Sequence, residues 1–178
     1  MTFDFEKVPS RRNTGSLKYD FALERGRPEN ALPLWVADMD FPTAPCVQEA
    51  LERAVKHGIF GYSEPLEGYY KALAKWFSSR YGYEFQQEWL VLTPGVVFAL
   101  AAVVRCLTEP GDGVLILTPV YYPFYQVVRD NGRTLVESPL RRENGRYVID
   151  FNDMEHKLQL GNVRLLLFCS PHNPVGRV

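Results

Sequence analysis

The sequence predicts an α/β fold built on a mostly parallel sheet, and three observations carry that prediction. Leu165-Leu166-Leu167-Phe168 and Gly113 to Thr118 are short apolar runs without alternation, the pattern of strands covered on both faces. Leu90 to Thr93 runs into Gly95 and then the apolar helix Val96 to Leu107, a strand, glycine turn and helix in succession. Polar loops rich in proline, Pro119 to Pro123 and Ser170 to Gly176, follow two of these strands at the carboxyl ends where parallel sheets bind ligands.

The chain of 178 residues, 46% apolar and 13% aromatic, is long enough to bury a substantial core in one domain. A net charge of −1 and a pI near 6.3 leave no nucleic-acid footprint, and Arg11-Arg12 and Arg141-Arg142 read as solvated surface. Cys46, Cys106 and Cys169 are odd in number and outside any CxxC pattern, which predicts reduced thiols in a cytoplasmic protein. His57, His156 and His172 lack metal-ligand spacing, so no metal is expected. The acidic start, Met-Thr-Phe-Asp-Phe-Glu, is unlike a secretory signal, and the longest apolar run, Val96 to Val104, is too short to span a membrane.

In chain order, residues 1 to 33 lack a sustained period and read as an extended arm. Thr43 is the expected cap of a helix with Val47, Ala50, Leu51, Ala54 and Val55 on one face, ended by Gly58. A second helix starts just after Pro65 and carries Leu66, Tyr69, Tyr70, Leu73 and Phe77. Beyond Gly95, the helix start at Val96 offers unpaired N–H groups and a partial positive charge, which suits a phosphate, although a plain strand-to-helix turn accounts for it equally. In the aromatic run after Pro119, Phe124 or Tyr125 is expected in the core. Asn131-Gly132 marks a turn, Thr134 to Glu137 a strand, and Glu143 to Arg146 a hairpin-like connection into Tyr147-Val148-Ile149. Asp150 caps a helix to about Leu158. Ser170 to Gly176 surrounds Asn173 with two prolines and a glycine; the stiff loop can aim one amide at an anionic ligand, and ordinary turn chemistry explains it as well. No Gly-x-Gly-x-x-Gly follows a strand, which weighs against a dinucleotide fold.

Several stretches together resemble fold type I pyridoxal-phosphate (PLP) enzymes of the class I/II aminotransferase superfamily. The Asn173-Pro-Val-Gly176 loop resembles the family's Asn-Pro-x-Gly loop, whose asparagine hydrogen-bonds the cofactor's ring hydroxyl oxygen and lies close to the substrate carboxylate. Thr93-Pro-Gly-Val-Val97 resembles the phosphate cradle, in which residues matching Val96 and Val97 donate backbone N–H groups after Gly95; Phe98 replaces a common proline. The aromatic matching Tyr121 stacks on the pyridine ring. Where this branch has histidine, the chain has Tyr122. Tyr62, in Gly61-Tyr62-Ser63, matches a tyrosine that reaches across a dimer to the neighbour's phosphate, although a loop tyrosine packed on its own domain is the simpler reading of it alone. Residues 11 to 20 and 34 to 42 resemble the cystathionine β-lyase-like branch of carbon–sulfur lyases, with Tyr19 where tryptophan is more usual. Ala37 there is a candidate for a backbone contact to substrate. Asp38 and Asp40, one residue apart, also raise a metal or acid–base pair.

The resemblance implies a PLP-transferase fold of type I: an amino-terminal arm and the start of a small domain in residues 1–45, and the first part of the large domain in 46–178. It implies cis bonds at Thr118-Pro119 and Asn173-Pro174. The family's Schiff-base lysine, pyridine-nitrogen aspartate and carboxylate-binding arginine match nothing before Val178, so no catalytic residue is assigned in this chain, which reads as an amino-terminal portion, inactive alone. The implied reaction is carbon–sulfur β-elimination of an amino acid such as cystathionine in a cytoplasmic homodimer. Aminotransfer is the rival within the class, and a non-catalytic or regulatory protein on the same scaffold is the rival outside it.

Overall fold

The structure, a computed structural model, describes residues 4–28 and 30–178. It divides into two compact units, residues 1–69 and 70–178.

In the first unit, residues 11–20 form turns and Leu23–Arg25 a single 3₁₀ turn. Helix α1 follows at Pro45–His57. Thr43 does not cap it. The residue before a proline is driven out of the helical region, so Ala44 (φ −54°, ψ 137°) becomes the cap and Pro45 the first helical residue. Gly58, at φ 73°, ends the helix as expected. Helix α2, Glu67–Tyr81, begins two residues past Pro65 and crosses the boundary between the units.

The second unit contains α3 (Val96–Leu107), β1 (Gly113–Thr118), α4 (Pro123–Asp130), β2 (Thr134–Pro139), β3 (Arg141–Glu143), β4 (Arg146–Val148), α5 (Phe151–Leu158) and β5 (Val163–Leu167). Strands β2, β1 and β5 form a parallel sheet in that order. All of β1 is buried, as its unbroken apolar run predicts. Val114 and Ile116 pack with Val104 of α3 and Phe124, Val127 and Val128 of α4, which makes Phe124 the core member of the aromatic run. Leu115 and Leu117 alternate to the opposite face, where a right-handed crossover from β2 to β5 places α5. Each such side chain contributes about 1.5–3 kcal/mol by leaving water.

Two strand expectations need correction. Leu90 to Thr93 is extended at Leu90 (φ −88°, ψ 117°), but it has no paired strand among the described residues and forms no β-structure. The run 165–168 is covered on one face only. As an edge strand, β5 turns Leu165 and Leu167 to the core cluster and leaves Leu166 and Phe168 exposed.

The hairpin joining β3 to β4 turns at Asn144 (φ 50°) and Gly145 (φ 78°), the backbone that an Asn-Gly pair adopts most readily. Asp150 caps α5 by accepting from the Asp153 N–H. That helix is held to β2 by the buried Ser138, whose Oγ donates to Asp153 at 2.6 Å. Lys157 donates to the same carboxylate at 2.8 Å, and these two bonds, Lys157 first, hold Asp153 below the usual carboxylate range.

Candidate functional site

The site begins where β1 and β5 end. They are parallel neighbours, in register from Val114 with Leu165 to Ile116 with Leu167, so the loops after them leave the same edge of the sheet. The first loop, 119–122, carries Tyr121, half-exposed and edge-to-face with Tyr122 at 5.1 Å between ring centres. The second loop carries Asn173, exposed, between His172 and Pro174. The His172 imidazole joins the loops: Nε2 lies 2.9 Å from the Pro119 carbonyl oxygen. Thr118-Pro119 and Asn173-Pro174 are both cis, and so is Ser170-Pro171, which was not expected.

Helix α3 aims at the same edge. Only residues 108–112 separate its end from the start of β1, and Val104 packs with Val114 at that end. The helix therefore runs back along the strand, with its amino terminus at the carboxyl edge of the sheet. Gly95 is the cap, at φ 146° and ψ 163°, and no side chain caps the helix. The first backbone donor inside the helix is the Ala99 N–H, to the Gly95 oxygen at 3.2 Å. The N–H groups of Val96, Val97 and Phe98 precede it and have no intrahelical acceptor. A Cβ placed on Gly95 would meet no atom within 4 Å, so the space before these donors is open. Three unspent donors, the positive end of a helix and open space fit an anion the size of a phosphate.

Ala37 and Tyr62 belong to the first unit. Ala37 is exposed, and the Tyr62 ring is fully exposed rather than packed on its own unit. The carboxylates beside Ala37 are engaged. Arg11, read as solvated surface, forms an ion pair with Asp38 and another with Asp40 at 3.3 Å. Lys18, only 5% exposed, donates to the Asp40 carboxylate at 2.8 Å and to the Asp38 carbonyl at 3.0 Å. These bonds displace the solvated reading of Arg11, because two facing carboxylates offer a guanidinium fixed acceptors. Hydrogen bonds from Lys18, then Tyr19 and Arg11, hold Asp40 below the usual carboxylate range. Asp20 is held low by backbone N–H groups, Asn13 first and then Ser16 and Thr14, which fold residues 13–20 around it. Among the described residues no group of three or more His, Cys, Asp or Glu could hold a metal ion. Nor is any helix there long and apolar enough to cross a membrane.

Sequence reasoning missed the two ties that hold these segments. Opposite charges in two separate stretches, Arg11 and Lys18 against Asp38 and Asp40, were the available signal for one. A histidine flanked by prolines that lack N–H donors was the signal for the other.

A family model for aminotransferase class I and II matches residues 29–178. Cystathionine beta-lyase PatB of Bacillus subtilis (strain 168) is 44% identical over 98% of this chain and 45% of its own length. The crystal structure of cystalysin from Treponema denticola, which contains a pyridoxal 5'-phosphate cofactor, superposes with TM-score 0.89 at 42% identity, covering 100% of this chain and 46% of that one. A PLP-bound C-S lyase from Staphylococcus hominis does so with TM-score 0.87 at 36% identity, covering 99% and 44%. The chain thus spans less than half the length of these relatives, and it belongs to the class I and II aminotransferase family.

Proposed function

We propose that this chain forms the amino-terminal part of the PLP site of a cytoplasmic carbon–sulfur β-lyase acting on cystathionine or cysteine S-conjugates. The observation that carries the proposal is the open, uncapped start of α3 on the sheet edge that also bears Tyr121 and Asn173. Similarity to lyases in name and structure supports it.

When bound, PLP supplies an electron-withdrawing ring that accepts charge from the substrate Cα. The chain's own residues hold and orient. The Val96 and Val97 N–H groups donate to the phosphate, and the α3 dipole favours its charge. Tyr121 offers a flat amphipathic face to the ring, and the Asn173 carboxamide donates to the ring hydroxyl oxygen beside the substrate carboxylate. Ala37 presents backbone to that carboxylate. The exposed Tyr62 hydroxyl serves the phosphate of a second subunit in a homodimer. We assign no proton-transfer residue within the chain. In the reaction the substrate loses its Cα proton, the Cβ–S bond breaks with the electron pair leaving on sulfur, and the three-carbon enamine hydrolyses to pyruvate and ammonia.

The test uses the complete gene product. Given cystathionine alone, it should release pyruvate, ammonia and thiol with no keto acid added. Strict dependence on an added keto acid would establish aminotransfer instead, and a protein indifferent to PLP would favour a non-catalytic role.

A further inference from the structure

We propose that His172 is a positioning residue, the side chain that fixes Tyr121 and Asn173 relative to each other for the cofactor ring; this rests on the PLP-site reading above. His172 is 5% exposed, and its Nε2 lies 2.9 Å from the Pro119 carbonyl oxygen, 53 residues away in sequence. That bond falls one residue from Asn173 and two from Tyr121. Among the described residues no backbone–backbone hydrogen bond joins the two loops. Pro119, Pro171 and Pro174 lack N–H groups, and several of the neighbouring backbone groups are committed elsewhere. The Thr118 oxygen accepts from the Leu140 N–H at 2.7 Å, on the β2 side. The His172 N–H donates to the Arg177 oxygen, and its carbonyl accepts from the Gly176 N–H, both at 2.7 Å, which closes the second loop on itself. The imidazole is the donor that reaches across.

A carbonyl oxygen only accepts, so Nε2 must carry the proton. Both the neutral Nε2–H tautomer and the imidazolium meet that requirement, while the Nδ1–H tautomer does not. The tie therefore survives protonation of the ring and depends on the donor rather than on charge.

The experiment compares wild type, His172→Phe and His172→Gln in the complete gene product. Phenylalanine keeps a flat ring and removes the donor, whereas glutamine retains an N–H donor at similar reach. For His172→Phe we expect PLP affinity roughly tenfold lower, the order of one hydrogen bond to a neutral carbonyl. The visible circular dichroism of bound PLP should shrink, because ring orientation is no longer held, and kcat should fall more than KM rises. His172→Gln should restore the dichroism and most of the affinity. A purely structural role would lower the melting temperature of His172→Phe and leave the dichroism and kcat of its bound form unchanged, and that result would overturn the proposal. Should His172→Phe fail to fold, long-range ¹H–¹⁵N correlations of the wild-type imidazole decide: a protonated Nε2 supports the tie, and the Nδ1–H tautomer overturns it. Failure of the wild type to bind PLP would overturn the site reading, and this proposal with it.

Discussion

Replacing Gly95 by alanine separates the backbone demand of the cradle from every steric effect. At φ 146° and ψ 163° Gly95 occupies a region essentially closed to residues with a Cβ, and holding another residue there costs about 1–3 kcal/mol. A Cβ there meets no atom within 4 Å, so no clash contributes. The variant has two ways to respond. If the loop keeps its shape, the apo-protein loses about 1–3 kcal/mol of stability and PLP binds as before. If the loop relaxes, the Val96 and Val97 N–H groups turn away, and recovering the cradle costs the same energy on binding, roughly 5- to 150-fold in PLP affinity. PLP titration by absorbance, with urea unfolding of the apo-protein, measures both. Gly68→Ala is the control: Gly68 lies within α2 with open space around its Cβ position, and alanine there should be neutral or stabilise by up to about 1 kcal/mol. A Gly95→Ala protein with wild-type affinity and wild-type stability together would refute the reasoning.

Three further outcomes are expected. Gly113→Ala should destabilise by about 1–3 kcal/mol in urea unfolding, because its Cβ would lie 3.1 Å from the Asn162 oxygen and Val163 Cα where β1 meets β5; a neutral result would mean the strands separate freely. Asp40 titrates below its ordinary 3.8 when folded, so between the two values the unfolded chain binds more protons. Its contribution is complete above 3.8 and is lost as pH falls through the folded value, so Asp40→Asn should be weaker than wild type at neutral pH and converge with it in strong acid. Urea midpoints that stay parallel from about pH 7 to about pH 2 would contradict this. Tyr62→Phe should weaken PLP retention in the complete gene product without lowering the melting temperature of the apo-protein, and unchanged retention would remove Tyr62 from the site.

The parallel sheet was legible because β1 is a run of apolar residues buried on both faces, a pattern that solvent would not tolerate at a surface. Val96–Leu107 and Phe151–Leu158 were legible because a glycine or an aspartate marks each start. Leu90 to Thr93 was not, since its apolar run carries strand propensity but pairing depends on a neighbour that local sequence does not name. Thr43 lost to Pro45 because a proline restrains the residue before it more firmly than a hydroxyl rewards it. Within the candidate site, Gly95, Tyr121 and Asn173 were proposed through their motifs. The ties of Lys18 to Asp40 and His172 to Pro119 span 22 and 53 residues, distances over which a linear pattern carries no partner information.

The most direct measurement of the central claim is a crystal structure of the complete gene product with PLP. Phosphate oxygens should lie within hydrogen-bond reach of the Val96 and Val97 N–H groups, the pyridine ring against Tyr121, and the Asn173 side chain on the ring hydroxyl oxygen. PLP bound with its phosphate away from the start of α3, or with Asn173 turned from the ring, would contradict that claim.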